Sequence, residues 1–423
     1  MRTDILIIGA GFTGLSAART LADAGMEVLV VEARERVGGR TEAHRNGLGE
    51  VTDTGGQFIC DDMPEVMKLA RANGKALVET HVEGRFVSMP PRPQNDIERA
   101  YGKGLAIRDR MNAIDPADPA LAGLSVEAWL GALDEDEDAK TVFRSMIEGL
   151  WCLPLDQVPM WYLVSNDRRI TNEVPELQYF LRETLQGLAE DMAAGLGHRL
   201  RLGEPVRSIT HGGSGITAAT DRGTIEARTV LVAVPPVMAS RIGFSPALPD
   251  GVANALQAWR SGAVIKIRLR YASPFWRAAG LSGMVMWRNA TGLFACDSSA
   301  DDAHAAITVF IGGPLAQSWN AWPEETLRAE IIGRVAAALG EEALSPLDVS
   351  VRNWVDDPWS GGAYSDIIVD MHATDAEDIL RQGTPLIRFA CSELSPSFPG
   401  YVEGAIIAGR AAAQRILAER AGI

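Results

Sequence analysis

Three glycines and one acid carry the first chemistry that can be read from the chain: Gly9, Gly11 and Gly14, spaced as GxGxxG, and Glu32. The spacing alone is a weak signal, but here it follows the apolar run Ile5 to Ile8 and opens a helical pattern, with Glu32 about 20 residues on. Gly9 permits a tight turn, Gly11 lets backbone approach a pyrophosphate at a helix N-terminus, and Gly14 lets helix and strand pack closely. Phe12 and Thr13 sit in the same turn. Glu32 is expected to accept from a ribose hydroxyl, and its charge disfavours a 2′-phosphate, which argues against NADP. Lys266 is a second candidate. It alternates with Arg268 and Arg270 against Ile265, Ile267 and Leu269, and period-two logic alone would make those three cations a solvated strand face.

The elements that must position these groups follow from the same text. A strand over Ile5 to Ile8, a helix from about Leu15 to Ala24 and a strand over Val28 to Val31 form a βαβ unit. A helical stretch follows over Pro64 to Ala72. Residues 80–199 turn to polar segments and amphipathic helices and read as an inserted lobe. Pro205 to Ile209 and Thr229 to Val234 return to strand patterns, a further strand covers 263–271, a long helix covers Glu324 to Leu339, and the tail closes on a helix. Two interleaved lobes are expected, with boundaries at 1–79, 200–256 and 357–423 for the nucleotide lobe and 80–199 and 257–356 for the substrate lobe.

The stretch from Glu32 and Ala33 through Arg34, Gly38, Gly39 and Arg40 to Thr41 resembles the second nucleotide motif of the flavin-containing amine oxidases, and the likeness continues through most of the chain. It implies an α/β fold with two lobes, a Rossmann-like GxGxxG domain binding FAD and an interleaved α+β substrate domain. It places Arg34 and Arg40 near the adenosine and pyrophosphate, Gly55, Gly56, Gln57 and Phe58 close to the isoalloxazine, and Val206 at the adenine. Trp354, Trp359 and Ser360 lie in a segment similar to the one running under the flavin. Ala363 matches the position of the cysteine in covalent members, so the FAD is expected to be non-covalent. Ser392, Glu393, Tyr401 and Val402 resemble the closing motif for the ribityl and pyrophosphate chain, with Cys391 at a position usually held by glycine.

The resemblance also gives the candidate catalytic groups. Lys266 matches the lysine near flavin N5, reached through a bridging water. Tyr364 and Tyr401 match two aromatics that stand face to face and guide the amine; their electron-rich faces suit a cationic or lone-pair-bearing nitrogen. The implied cycle passes a hydride from the amine to flavin N5, hydrolyses the iminium to an aldehyde or ketone plus amine, and returns electrons to dioxygen or another acceptor. L-amino-acid oxidases, polyamine oxidases and carotenoid desaturases share the scaffold; Gln57, Phe58 and Ile59 lack the arginine that amino-acid-oxidising relatives place there. Arg168 or Arg169, in a polar stretch that runs on to Thr171, Asn172 and Glu173, could meet an acidic group on the substrate, or could belong to an exposed loop. Members often dimerise, and a homodimer is compatible with the text.

Composition narrows the classes. With 423 residues, 47% of them hydrophobic, the chain can bury a large core. A net charge of −15 argues against nucleic acid as a partner, and mildly favours cationic ligands. The four cysteines, Cys60, Cys152, Cys296 and Cys391, form no CxxC pair, so neither a metal cage nor a disulfide framework is suggested. Nothing resembles a signal peptide or a membrane span. A cytoplasmic enzyme acting on a small-molecule amine is the expectation.

Overall fold

The computed structural model describes residues 2–171, 173–213 and 215–421; Asn172 of the polar stretch lies outside the described residues. The opening strand Arg2–Ile8 is almost wholly apolar after its first residues and lies at the centre of an 8-stranded sheet. It pairs in parallel with Val28–Val31 on one side, Ile5 opposite Val28, and with Gly223–Val232 on the other, Ile5 opposite Thr229. Parallel strands need both faces covered, which is why Ile5 to Ile8 and Val28 to Val31 read as unbroken apolar runs. The crossover between them is the helix Phe12–Asp23, three residues longer at its start than the pattern suggested. The expected helices over Pro64–Ala72 and Glu324–Leu339 are found with those bounds.

A second, 6-stranded sheet runs in the order Asp348–Asn353, Val264–Arg270, Ala306–Gly312, Leu293–Asp297, Leu281–Trp287, Arg85–Met89. Its one face packs Ile265, Ile267 and Leu269 against Leu327, Ile331, Val335 and Leu339, spaced four apart on the helix Glu324–Leu339. Each such side chain taken from water contributes about 1.5–3 kcal/mol. Its other face carries Lys266, Arg268 and Arg270, and all three are buried. The solvated-face reading is therefore wrong: residues 42–57 lie across these cations, Glu50 accepting from Arg270 Nε at 3.0 Å and standing 3.9 Å from Arg268.

The helices of the insert are amphipathic in the ordinary way. Glu137–Trp151 buries Ala139, Val142, Phe143 and Ile147, and places Glu137 and Asp138 in its first turn, where the positive end of the helix dipole favours them. A small sheet joins Phe58–Ile59, Tyr179–Leu181 and Leu77–Glu79, so the glycine segment at 55–56 feeds directly into a strand paired with the insert.

Candidate functional site

At the nucleotide end, geometry explains the glycines. Gly9 has φ +104°, and a Cβ there would meet the Ala233 carbonyl oxygen at 2.8 Å. A Cβ on Gly14 would stand 1.9 Å from the Gly9 carbonyl oxygen. Gly11 caps the helix Phe12–Asp23 with its backbone and no side chain. Gly39 faces it closely enough that a Cβ on Gly39 would lie 3.4 Å from the Gly11 Cα. Two side-chain-free loops thus form a cradle above a helix N-terminus, a ready anion site. Glu32 is buried and accepts from the backbone N–H of Ala10 at 2.7 Å and of Arg34 at 2.9 Å. Both oxygens keep a lone pair for a ribose hydroxyl. Phe12 and Thr13 are buried in the first turn, Ala33 is half-buried, and Val206, half-buried, starts the strand Val206–Gly212.

The two arginines carried over from the resemblance are held by carboxylates. Arg40 donates to Glu393 Oε1 at 2.5 Å, Glu393 Oε2 at 3.1 Å and Ser392 Oγ at 2.9 Å. Burial alone would lower its pKa, but Glu393 more than reverses this and the guanidinium stays charged. Arg34 donates to Asp357 Oδ1 at 2.6 Å. Asp357 also takes Arg352, which reaches Glu42 at 2.6 Å, and Glu42 takes Arg36 at 2.7 Å. Burial would raise the Asp357 carboxyl, yet Arg34 and Arg352 hold it well below the usual range. Sequence reasoning missed Arg352, Glu42 and Asp357, although any half-buried arginine pair implies such partners. Cys391 creates no strain in place of glycine, because φ −157° is extended backbone.

At the aromatic end, Lys266 Nζ donates to Asp53 O at 3.0 Å, Gly55 O at 2.8 Å and Gln57 Oε1 at 2.8 Å, which uses all three ammonium protons. The lysine clamps the glycine segment. Burial lowers its pKa against the opposing pull of the Asp53 carboxylate, and burial raises Asp53 against the pull of Lys266. Lys266 lies opposite Phe310 in the sheet, 5.6 Å from that ring. Phe310 in turn meets Phe58 at 6.2 Å and Tyr364 at 6.3 Å, and Phe58 meets Phe180 edge-on at 6.1 Å. Trp354 donates from Nε1 to Thr54 O at 3.0 Å, under the Arg352 guanidinium at 4.0 Å. Ser360 donates to Asp357 at 3.0 Å, and Trp359 lies beneath Arg207 at 5.4 Å. Tyr401 packs edge-on against Phe398 at 5.7 Å, and its hydroxyl donates to Glu176; Val402 starts the closing helix Val402–Ala421. Phe180, Phe310 and Glu176 were not foreseen, since no local motif marks them.

Arg169 is not a free cation. It donates twice to Glu377 at 2.8 Å and to the carbonyls of Ser165 and Ser395 at 3.0 Å, so its role is internal. Arg168 is exposed and donates to the Ile114 carbonyl at 3.3 Å. Of the two alternatives for Arg168 or Arg169, the exposed position of Arg168 fits the surface loop, and the partners of Arg169 commit it inside the fold.

Against this geometry the comparisons are direct. The sequence profile of the flavin-containing amine oxidoreductases matches residues 12–417. The chain belongs to this family. As a flavin-containing amine oxidoreductase it is 32% identical to putrescine oxidase of Kocuria rosea, with 98% of this chain and 95% of the relative covered. It is 28% identical to amine oxidase B of Mus musculus, with 98% and 86% covered. Its fold matches cyclohexylamine oxidase of Brevibacterium oxydans IH-35A with a TM-score of 0.90 at 25% identity, over 99% of both chains. The cofactor of this amine oxidoreductase is FAD, held without a covalent bond. The residues present fit it: the Gly11–Gly39 cradle gives close approach, and the unused N–H groups of Arg34 and Arg40 are donors for anionic oxygens. No helix among the described residues is long and apolar enough to cross a membrane.

Proposed function

We propose that this chain oxidises a primary or secondary amine at the carbon next to nitrogen, giving an iminium that water hydrolyses to an aldehyde or ketone plus amine, with dioxygen reduced to hydrogen peroxide. Bound FAD supplies the hydride acceptor. The observation that carries the reading is the wall of Phe58, Phe310 and Tyr364 flanking the segment that Lys266 fastens down. An aromatic wall without water lowers the pKa of an ammonium and orients the neutral amine, which is positioning rather than acid–base work. Lys266 keeps Gly55 and Gln57 in place, and Tyr364 and Tyr401 leave one narrow approach. The named substrates of two relatives, putrescine and cyclohexylamine, are both amines. The 1–79, 200–256 and 357–423 stretches serve the cofactor and 80–199 with 257–356 the substrate. Four free, buried cysteines suit a reducing compartment such as the cytoplasm. Anaerobic mixing of the flavin-replete protein with monoamines, diamines and L-amino acids tests this: bleaching of the flavin band by an amine class is expected, and no bleaching by any amine would overturn it.

A further inference from the structure

Amines in water are mostly ammonium ions at neutral pH, with pKa values like that of lysine at about 10.4, whereas oxidation next to nitrogen needs the lone pair. Something must take a proton. Lys266 is not the acceptor, because its three contacts are all oxygens that it donates to. Asp53 is turned away, its carboxylate accepting from Leu185 N at 3.1 Å.

Glu176 is different. Its Oε2 takes the Tyr401 hydroxyl, while its Oε1 stands 3.7 Å from Arg108, beyond hydrogen-bond distance. Arg108 is committed elsewhere: its Nε and a terminal N–H bind Asp167 at 2.9 and 2.7 Å, and Asn112 reaches the same carboxylate at 2.7 Å. Two carboxylates therefore share one guanidinium, and Glu176 holds the looser half, with an open lone pair beside Tyr401. The Cys60 thiol, pushed up by burial and therefore neutral, also faces Glu176, with Asp61 and Asp62 near that thiol; none of the three adds a cation. Burial raises the Glu176 carboxyl, with Arg108 and the Tyr401 hydroxyl opposing and Asp167 adding to the rise.

We propose that Glu176 accepts the proton that the substrate ammonium gives up beside Tyr401, and that Arg108 and Asp167 position it. This rests on the amine-oxidising reading above. The N–H bond breaks, the proton bonds to a Glu176 oxygen, and the electron pair stays on nitrogen; nothing is oxidised in this step. Asp167, fully buried and bonded twice to Arg108, anchors the set to the helices Gln94–Asn112 and Met160–Asp167.

The test is the pH dependence of anaerobic flavin bleaching by benzylamine and putrescine in the intact FAD-loaded protein, for the wild type, Glu176→Gln, Glu176→Asp and Tyr401→Phe. Glu176→Gln keeps size and hydrogen bonding but cannot take a proton. It is expected to slow bleaching at neutral pH about a hundredfold and to move the rising limb of the profile toward the pKa of the free amine. Glu176→Asp should restore a limb near the wild-type position. Tyr401→Phe removes a hydrogen bond that holds the Glu176 carboxyl down, so its limb should move upward but stop short of the displacement in Glu176→Gln. A wild-type limb in Glu176→Gln, or the same displacement in Tyr401→Phe, would show that Glu176 only anchors the tyrosine and would overturn the proposal. A wild type that no amine bleaches would instead refute amine oxidation itself.

Discussion

Replacing Lys266 by Met separates the lysine's role as a clamp from its shape. Met nearly fills the same volume, so the loss is chemical: three hydrogen bonds to Asp53 O, Gly55 O and Gln57 Oε1, all in buried surroundings. Removing one member of a buried charged set costs about 3–5 kcal/mol. Part of that cost depends on pH. Burial already raises the Asp53 carboxyl above its unfolded value, and Lys266 is the first of the groups that pull it back, ahead of the Leu185 and Gln186 amides and Arg268. Without the lysine the folded value rises further. An acid raised on folding contributes stability that is present below its unfolded pKa and is lost as pH rises through the folded one. The deficit of Lys266→Met should therefore be smallest in acid, where Asp53 is neutral and only unpaired carbonyls remain, at about 1–3 kcal/mol. It should grow as pH rises through the wild-type Asp53 value of about 7, above which only the variant's carboxyl still resists ionising. Urea unfolding at saturating FAD, followed by flavin fluorescence and far-UV circular dichroism near about pH 5 and about pH 8, measures both terms. Equal stability of variant and wild type at both pH values would refute the clamp, and a deficit larger in acid would refute the assignment to Asp53.

Three further variants probe the packing and its ion pairs. Gly14→Ala should abolish cofactor retention and cost more than about 4 kcal/mol, because its Cβ would lie 1.9 Å from a backbone oxygen that cannot move aside; Gly102→Ala, in a helix with open space around it, should stabilise by roughly 0.5–1 kcal/mol in the same urea assay. Arg169→Ala should lower stability by about 1–3 kcal/mol through the lost hydrogen bonds, Glu377 keeping Arg381 as a partner, and in a substrate panel should not change the ratio of activities toward acidic and neutral amines; a selective loss on acidic amines would restore the substrate-binding role.

What could be read from sequence was local. The turn at Gly9 to Gly14 declares itself because each glycine answers a steric demand within a few residues, and Glu324–Leu339 because its apolar residues repeat at helical spacing. Periodicity in Val264–Arg270 gave the alternation correctly but said nothing about what lies on each face. The cover over Lys266 comes from residues 53–57, more than two hundred positions earlier, and the partner of Tyr401 lies 225 positions away at Glu176. Arg169 misled for the same reason: a polar-looking stretch hid a carboxylate at Glu377 that only tertiary structure supplies. Charges draw their meaning from partners, and partners here are far apart in the chain.

The closing helix is bound into the first. A Cβ on Gly409 would lie 2.2 Å from Thr13 O, Ser16 Oγ donates to Ile406 O at 2.9 Å, and Glu403 accepts from Glu65 N and Val66 N at the start of the helix Pro64–Ala72. With Glu393 holding Arg40, the earliest-made part of the site is completed by residues synthesised almost last. During translation the glycine turn must wait, with its anion-binding amides exposed, until residues past Gly409 clear the ribosome. A chain clipped before Glu393 lacks the carboxylate that holds Arg40 and is expected to retain flavin poorly, which the flavin absorbance of a purified truncation would check.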